Sequence, residues 1–414
     1  MRQFVFGLLV AALVWWGYGK YATADQVFAS NPATGTYKAG EGDAAAASID
    51  GNAVDRLLQG DPSGRRAPAL DATSRGGDAA TTGVPQVAAV PHVSAEALRS
   101  ALANGDGAAR RTAWAALATN RVDDRAAVVA ALWPAADDPA AMLAALGDDN
   151  SFLHSAEGRS AIERLQRAID ALPDAEAMAA GSRLLTLMMR GRLENEDLAA
   201  RGVVDACYRQ HRIRVDRWLC DPANLTAARS YVVQRGDSLA RIAGRFRKEN
   251  LAVEDGTLAV LNRIHNPNAI QVGQKLKVPV APIVGVLEKR SFTFAIYVGE
   301  HLLRLYRVGH GKHDGTPVTE FTVAEKQPQP QWTAPDGNVY PYGHPSNILG
   351  EYFVKFTHAS YSGFGAHGTP QPETIGTMSS AGCIRMYADD IAELFRILPR
   401  GALVVVRATE SLRG

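Results

Sequence analysis

The sequence predicts a multidomain chain. It reads as an N-terminal signal or anchor helix, a disordered tether, an all-α helical region, a small βααβ module and a mostly-β C-terminal domain. Three observations carry this. An unbroken apolar run fills Phe4 to Trp16. Small and polar residues dominate until about residue 90, where helical periodicity begins. From about residue 230 the pattern changes to short strands separated by turn residues. A length of 414 residues allows two to four domains, at roughly 100–200 residues each. Apolar content of 46% and charged content of 21% fit globular protein. A net charge of +1 gives no bulk electrostatic case for nucleic acid as a partner.

Residues 1–24 carry Arg2, the apolar run and Lys20, with Ala22-Thr23-Ala24 as a small-residue cleavage site. The run is short for a membrane span of ~20 residues, yet Trp15, Trp16, Tyr18 and Tyr21 resemble an interface belt. Cleaved signal and inner-membrane anchor both stay open. Either one exports the body of the protein to the periplasm or cell wall, and the membrane is a partner if the helix is uncleaved. Residues 25–90 hold too few large apolar side chains to offset the cost of ordering a backbone, so they read as a flexible linker. Outside the cytoplasm disulfides persist, which allows Cys207 and Cys220 to pair and leaves Cys383 as the odd thiol. An odd thiol in an exported protein is a candidate reactive group.

Residues 91–228 read as helices. Ser94 can cap a helix carrying Leu98, Ala101 and Leu102, with Gly105 as a stop. Ile162, Leu165, Ile169 and Leu172 mark one helix face. Leu184, Leu185, Met188 and Met189 suggest another helix, its methionines core rather than ligands. The region shows no chemistry and leaves its partner unnamed.

Residues 229–281 form the module. A β run at Tyr231 to Gln234 meets a turn at Gly236 and Asp237. Ser238 then caps a helix bearing Leu239, Ile242, Ala243 and Phe246 on one face. A second helix runs to about Asn262, Asn266-Pro267-Asn268 makes a turn, and Ile270 through Val278 reads as a closing strand. The opening YVVQRGDSLARIA and the ending IQVGQKLKVP closely resemble the LysM module. That resemblance implies binding of N-acetylglucosamine-containing glycans such as peptidoglycan or chitin. It places Gly236, Asp237, Ser238 and Leu239 on one side of a shallow groove and Asn268, Ala269 and Ile270 on the other. Gly236 and Asp237 also read simply as the residues that make the turn.

Residues 288–408 are the C-terminal domain. Phe292, Phe294 and Ile296 alternate, and Gly299-Glu300 turns into Leu302–Val308. Tyr352–Thr357 and Ala402–Arg407 read as further strands. Ile391, Leu394, Phe395 and Leu398 share a helix face, with Asp390 and Glu393 as a capping pair. Cys383 lies in SSAGCIRM. A nucleophilic thiol needs a base, a group to orient that base, and donors for an oxyanion. His367 stands sixteen residues ahead of it, and Gly382 lets backbone come close, so the amides of Gly382 and Cys383 are candidate oxyanion donors.

The stretch HGTPQPETIGTMSSAGCIRM resembles the catalytic signature of YkuD-type L,D-transpeptidases. Gly315-Thr316-Pro317 with Phe321, and Asn347-Ile348-Leu349-Gly350, are similar to two upstream segments of that family. The resemblance implies a sandwich-like domain with the cysteine in a deep groove. It makes Cys383 the nucleophile, His367 the general base and the Gly368 carbonyl the group that holds the imidazole tautomer. Arg385 matches the signature arginine, either as a substrate-carboxylate contact or as a brace. Ser380, Tyr361, Trp332 and His358 are further candidates for the groove lining, and each of the last three is equally suited to packing. Ala381 departs from the pattern, which has histidine there. Thr319 is a milder departure, at a place that often holds glycine. No cofactor is called for, and no metal, because a single cysteine has no second ligand at helix or finger spacing.

The implied reaction is peptidoglycan cross-linking between third stem residues through a cysteine acyl-enzyme, on glycan strands held by the module. Water as acceptor would make an L,D-carboxypeptidase, and a wall protein's amine a protein-attaching enzyme. Ala381 also keeps open a non-catalytic wall-binding protein. With an ordinary imidazole, activity falls on the acidic side between about pH 5 and 7 as His367 is protonated.

Overall fold

The computed structural model describes residues 94–104, 143, 156–190, 198–334 and 336–408. The predicted signal or anchor (1–24) and linker (25–90) lie outside the described residues. No helix among the described residues is long and apolar enough to cross a membrane. The chain divides between Met188 and Met189 into two compact units.

The first unit contains helices α1 (Ala95–Asn104) and α2 (Ala156–Asp170) and most of α3 (Asp174–Met189). In α2 the predicted stripe of Ile162, Leu165 and Ile169 is buried. Leu172 falls beyond the helix end and is only half-buried. Leu184, Leu185, Met188 and Met189 are all core. Ser182 and Thr186 are buried in α3 as well, and their hydroxyls donate to the carbonyls of Met178 and Ser182, both at 2.8 Å.

The second unit begins with α4 (Leu198–Arg214), which runs straight into a π-turn at Val215–Leu219. This continuity answers the question the sequence left open for Cys207 and Cys220: they do not pair, and all three cysteines are free. Cys220 lies thirteen residue steps along the helical chain from Cys207, which is on the order of 20 Å at ~1.5 Å per residue. A disulfide requires Cα atoms within ~7 Å.

The module follows in the predicted βααβ order: β1 (Ala228–Val232), α5 (Leu239–Arg247), α6 (Asp255–Leu261) and β2 (Lys275–Pro279). β1 and β2 pair antiparallel. The closing strand is shorter than expected, since residues 270–274 form a turn. Val233, Leu239, Ile242, Phe246, Val253, Leu258, Leu276 and Val278 make one buried cluster. Burying each contributes about 1.5–3 kcal/mol.

The C-terminal domain is built on one eight-stranded mixed sheet where the resemblance implies sandwich-like layers. Its strands are β3 (Ile283–Glu288), β4 (Thr293–Val298), β5 (His301–Arg307), β7 (Glu320–Pro328), β10 (Tyr352–Thr357), β11 (Gly365–Gly368), β13 (Ile384–Met386) and β14 (Leu403–Arg407). Their order is β13-β11-β10-β7-β14-β3-β4-β5. The β11/β13 and β3/β14 pairs are parallel, and the rest are antiparallel. Two ribbons stand apart: β6 (His310–Gly311) with β12 (Met378–Ser380), and β8 (Trp332–Thr333) with β9 (Val339–Tyr340). Every residue of β3 and β4 is buried, so both faces of the sheet are covered there. This removes the alternation expected of Phe292, Phe294 and Ile296. Phe292 itself lies outside the strand, in the left-handed region at φ 54°.

Two helices finish the domain. The α4 helix shields the edge strand β5, where Tyr208 Oη accepts from the Leu305 amide (3.0 Å) and His211 Nε2 donates to the Leu302 carbonyl (2.9 Å). The α7 helix (Ala388–Ile397) buries Ile391, Leu394 and Ile397. It starts two residues before Asp390, with Tyr387 at its N-cap and no side-chain cap, so the expected Asp390/Glu393 capping pair does not form. Glu393 instead accepts from Arg304 Nε (2.7 Å) and the Tyr306 hydroxyl (2.9 Å).

Candidate active site

Strands β11 and β13 position the two reacting candidates. They pair in parallel, with His367 opposite Arg385. Cys383 lies in the bend just ahead of β13, two residues before Arg385, the residue that stands opposite His367. Arg385 acts electrostatically on both the imidazole and the thiol.

His367 is buried. Its Nδ1 lies 2.5 Å from the Gly368 carbonyl oxygen. A carbonyl only accepts, so Nδ1 carries the proton and Nε2 is left with a lone pair. Removal from water pushes the imidazole down to about 4, the Gly368 carbonyl opposes this, and Arg385 adds to it. The acid-side loss expected between about pH 5 and 7 is therefore moved to near 4.

Cys383 is partly exposed, and its thiol donates to the Gly363 carbonyl at 3.3 Å. Burial pushes the thiol up to about 11, against the opposing pull of the Gly365 amide and Arg385. The resting pair is thus neutral thiol and neutral imidazole, with the thiol hydrogen directed at the Gly363 carbonyl.

The loop carrying the thiol is fixed from several sides. Gly382 has φ 149°, and a Cβ there would stand 2.7 Å from the Phe364 ring, so only glycine fits. Its carbonyl accepts from Thr316 Oγ1 (2.7 Å), which in turn accepts from the Gly311 amide (2.9 Å). The buried Lys289 ammonium donates to the Thr316 carbonyl and holds that segment in place.

The other predicted residues fall as follows. The Gly382 amide, one of the two expected oxyanion donors, donates to Ser380 Oγ (3.1 Å) and is engaged within the loop. Ser380 is buried, and its hydroxyl also donates to the Cys383 carbonyl (2.6 Å), which makes it a brace rather than a substrate contact. Arg385 is 5% exposed and reaches Ser379 Oγ at 3.4 Å. His358 donates from Nε2 to Thr319 Oγ1 (3.1 Å) and accepts at Nδ1 from the Ser360 amide (2.9 Å), so both ring nitrogens are engaged. Tyr361 is exposed and packs with Phe321, His358 and Phe364, the ring that closes on Gly382. Trp332 stacks on Tyr340 within the β8/β9 ribbon. Sequence reasoning missed the bracing by Thr316 and Lys289 and the Gly363 carbonyl. Thr316 was visible inside Gly-Thr-Pro, but its hydrogen bond to the Gly382 carbonyl spans 66 residues.

In the module, Gly236 takes φ 84°. Asp237 organises the turn, accepting from the Tyr231 hydroxyl (2.6 Å), the Gln234 amide (2.8 Å) and Arg245 (2.7 Å). Ser238 caps α5 by accepting from the Arg241 amide (3.3 Å). Leu239 is 2% exposed and belongs to the core, which corrects its expected place in the groove. Asn268 and Ala269 are exposed beside the half-buried Ile270.

Comparison with known proteins agrees with this anatomy. The family model for the YkuD L,D-transpeptidase catalytic domain matches residues 283–406, and that for the LysM domain matches residues 231–279. A putative L,D-transpeptidase YkuD of Bacillus licheniformis is 30% identical over 183 residues, covering 42% of this chain and 97% of the relative. A putative L,D-transpeptidase YqjB of Bacillus subtilis is 33% identical over 124 residues, covering 29% of this chain and 69% of the relative. Among solved structures, an L,D-transpeptidase from Mycobacterium smegmatis is matched at 25% identity with a TM-score of 0.27, over 33% of this chain and 65% of that one. The chain belongs to the YkuD L,D-transpeptidase family, with a LysM domain immediately ahead of its catalytic domain.

Proposed function

We propose that the protein is a peptidoglycan L,D-transpeptidase of the cell wall or periplasm that joins third stem residues through an acyl-enzyme on Cys383. The observation that supports this best is the β11/β13 register. It sets Arg385, two residues past Cys383, opposite His367, whose Nδ1 is engaged by the Gly368 carbonyl and whose Nε2 is thereby left to act as a base.

Cys383 Sγ attacks the carbonyl carbon of the third, L-centred stem residue, and its proton passes to His367 Nε2. The Cys383 amide faces the developing oxyanion. His367 then protonates the departing amine, D-alanine leaves, and a thioester remains. A second stem's side-chain amine attacks that thioester, His367 removes its proton, and the sulfur departs and regains a proton. Since both groups are neutral at rest, proton transfer accompanies attack rather than preceding it. The LysM domain holds glycan strands near the thiol.

The test is mass spectrometry of digested wall after incubation with purified protein, with Cys383→Ala as control. New dimers linked through third residues, absent with the control, support the proposal. Tripeptides alone point to an L,D-carboxypeptidase. An unchanged digest with the protein still sedimenting on the wall points to a non-catalytic wall binder.

A further inference from the structure

The LysM domain does not stand free of the catalytic domain. Glu254, at the N-cap of α6, is a buried carboxylate that accepts from Lys326 Nζ on β7 and from Arg400 Nη1 (2.7 Å) and the Arg400 amide (3.2 Å) just after α7. Burial favours its neutral form, but Lys326 and Arg400 overcome this and hold the carboxyl below its ordinary value. One turn on, buried Thr257 donates to the Ile397 carbonyl at 2.8 Å. Between them Gly256 packs directly on the end of α7, where a Cβ would lie 2.3 Å from the Arg396 carbonyl oxygen. A second strap runs to the π-turn after α4. The buried Lys277 ammonium donates to the Leu219 carbonyl (2.6 Å), and Arg263 donates to the Arg217 carbonyl (2.7 Å).

These contacts use the α6 side of the module. Gly236, Asn268 and Ala269, the candidate glycan contacts, stay exposed. A flexible wall-binding module has no need of a buried carboxylate shared with the catalytic domain, or of a helix residue whose lack of a side chain only the docked α7 requires.

We propose that Glu254 and Gly256 lock the LysM domain onto the catalytic domain, and that this lock fixes the separation between gripped glycan and thiol. They are then positioning residues for cross-linking of polymeric wall and dispensable for reaction of small soluble stems. This rests on the transpeptidase reading above. An anchor on a loose hinge raises local concentration only, whereas a locked one also selects which stem along the strand reaches Cys383.

The test uses the full chain with Gly256→Ala, a change that favours helix within α6 while placing a Cβ where the Arg396 carbonyl lies. Lys326→Met is the second variant, removing one partner of Glu254 from the catalytic side. Hydrogen exchange reports undocking as loss of protection at α6 and the end of α7 with α5 unchanged. The undocked variants should sediment with insoluble peptidoglycan and react with a soluble disaccharide-tetrapeptide within about twofold of wild type. Their yield of cross-links in intact wall should fall at least about tenfold. Undocked variants that cross-link intact wall like wild type overturn the proposal. So does equal loss on both substrates, which would mean general damage. Wild type inactive on both substrates overturns the transpeptidase reading itself, and this inference with it.

Discussion

His367 and Cys383 are moved in opposite directions by the same cause, burial pushing the imidazole down to about 4 and the thiol up to about 11. Between those values the resting protonation state does not change, so acyl-enzyme formation from a soluble donor stem should be flat from about pH 5 to 8 and fall only towards pH 4. Initial rates across that range check this, and a half-maximal rate near the ordinary imidazole value of ~6.5 would contradict it. Thr316 is the other residue that the geometry singles out. Thr316→Val keeps the shape but strands the Gly382 carbonyl and the Gly311 amide. It should lower stability by about 2 kcal/mol and turnover by roughly tenfold or more with KM little changed. Urea unfolding and steady-state kinetics read both, and an unchanged midpoint would show that the brace does not matter. The candidate pair His367 and Cys383 was legible because the signature that singles it out is local, whereas the Gly363 acceptor and the Thr316 brace reach the loop from elsewhere in the chain and leave no spacing to read.

At the scale of elements, strongly periodic segments were readable. The Leu239, Ile242, Ala243 and Phe246 face of α5 and the strand Tyr352–Thr357 appear where the sequence places them. Misreadings came where tertiary context prevails. β4 is buried throughout and shows no alternation, and α7 begins earlier than its acidic residues suggest because Glu393 is engaged by Arg304 and Tyr306. The docking of α4 along β5 was not readable, since it depends on His211 and Tyr208 finding strand-edge backbone. It has an acid liability. His211 is fully buried and, chiefly through that burial, pushed down to about 4. An unfolded histidine takes up its proton near ~6.5, so stability is complete above that pH and is lost as pH falls from there towards the folded value. His211→Gln keeps a donor for the Leu302 carbonyl and removes the titration. The variant's loss of stability between pH 7 and 5 should be smaller than wild type's by about 2 kcal/mol. Equal losses would show that His211 is solvated at acid pH.

Across the whole molecule, His301 and His367 share that behaviour, both buried and both pushed down to about 4. The urea midpoint should therefore drop steeply from pH 7 to 5, and a midpoint constant over that interval would contradict three buried neutral imidazoles. The catalytic domain, the LysM domain and α4 belong to one compact unit joined through Glu254, Lys277 and His211. On the proposed function, that unit brings a neutral Cys383 thiol to the stem peptide. The most direct measurement is intact-protein mass spectrometry with peptide mapping after mixing the full chain with a tetrapeptide donor and no acceptor. The account predicts one adduct, the donor less its terminal D-alanine, on Cys383 and absent from Cys383→Ala. No adduct, or one carried by Cys207 or Cys220, would contradict it.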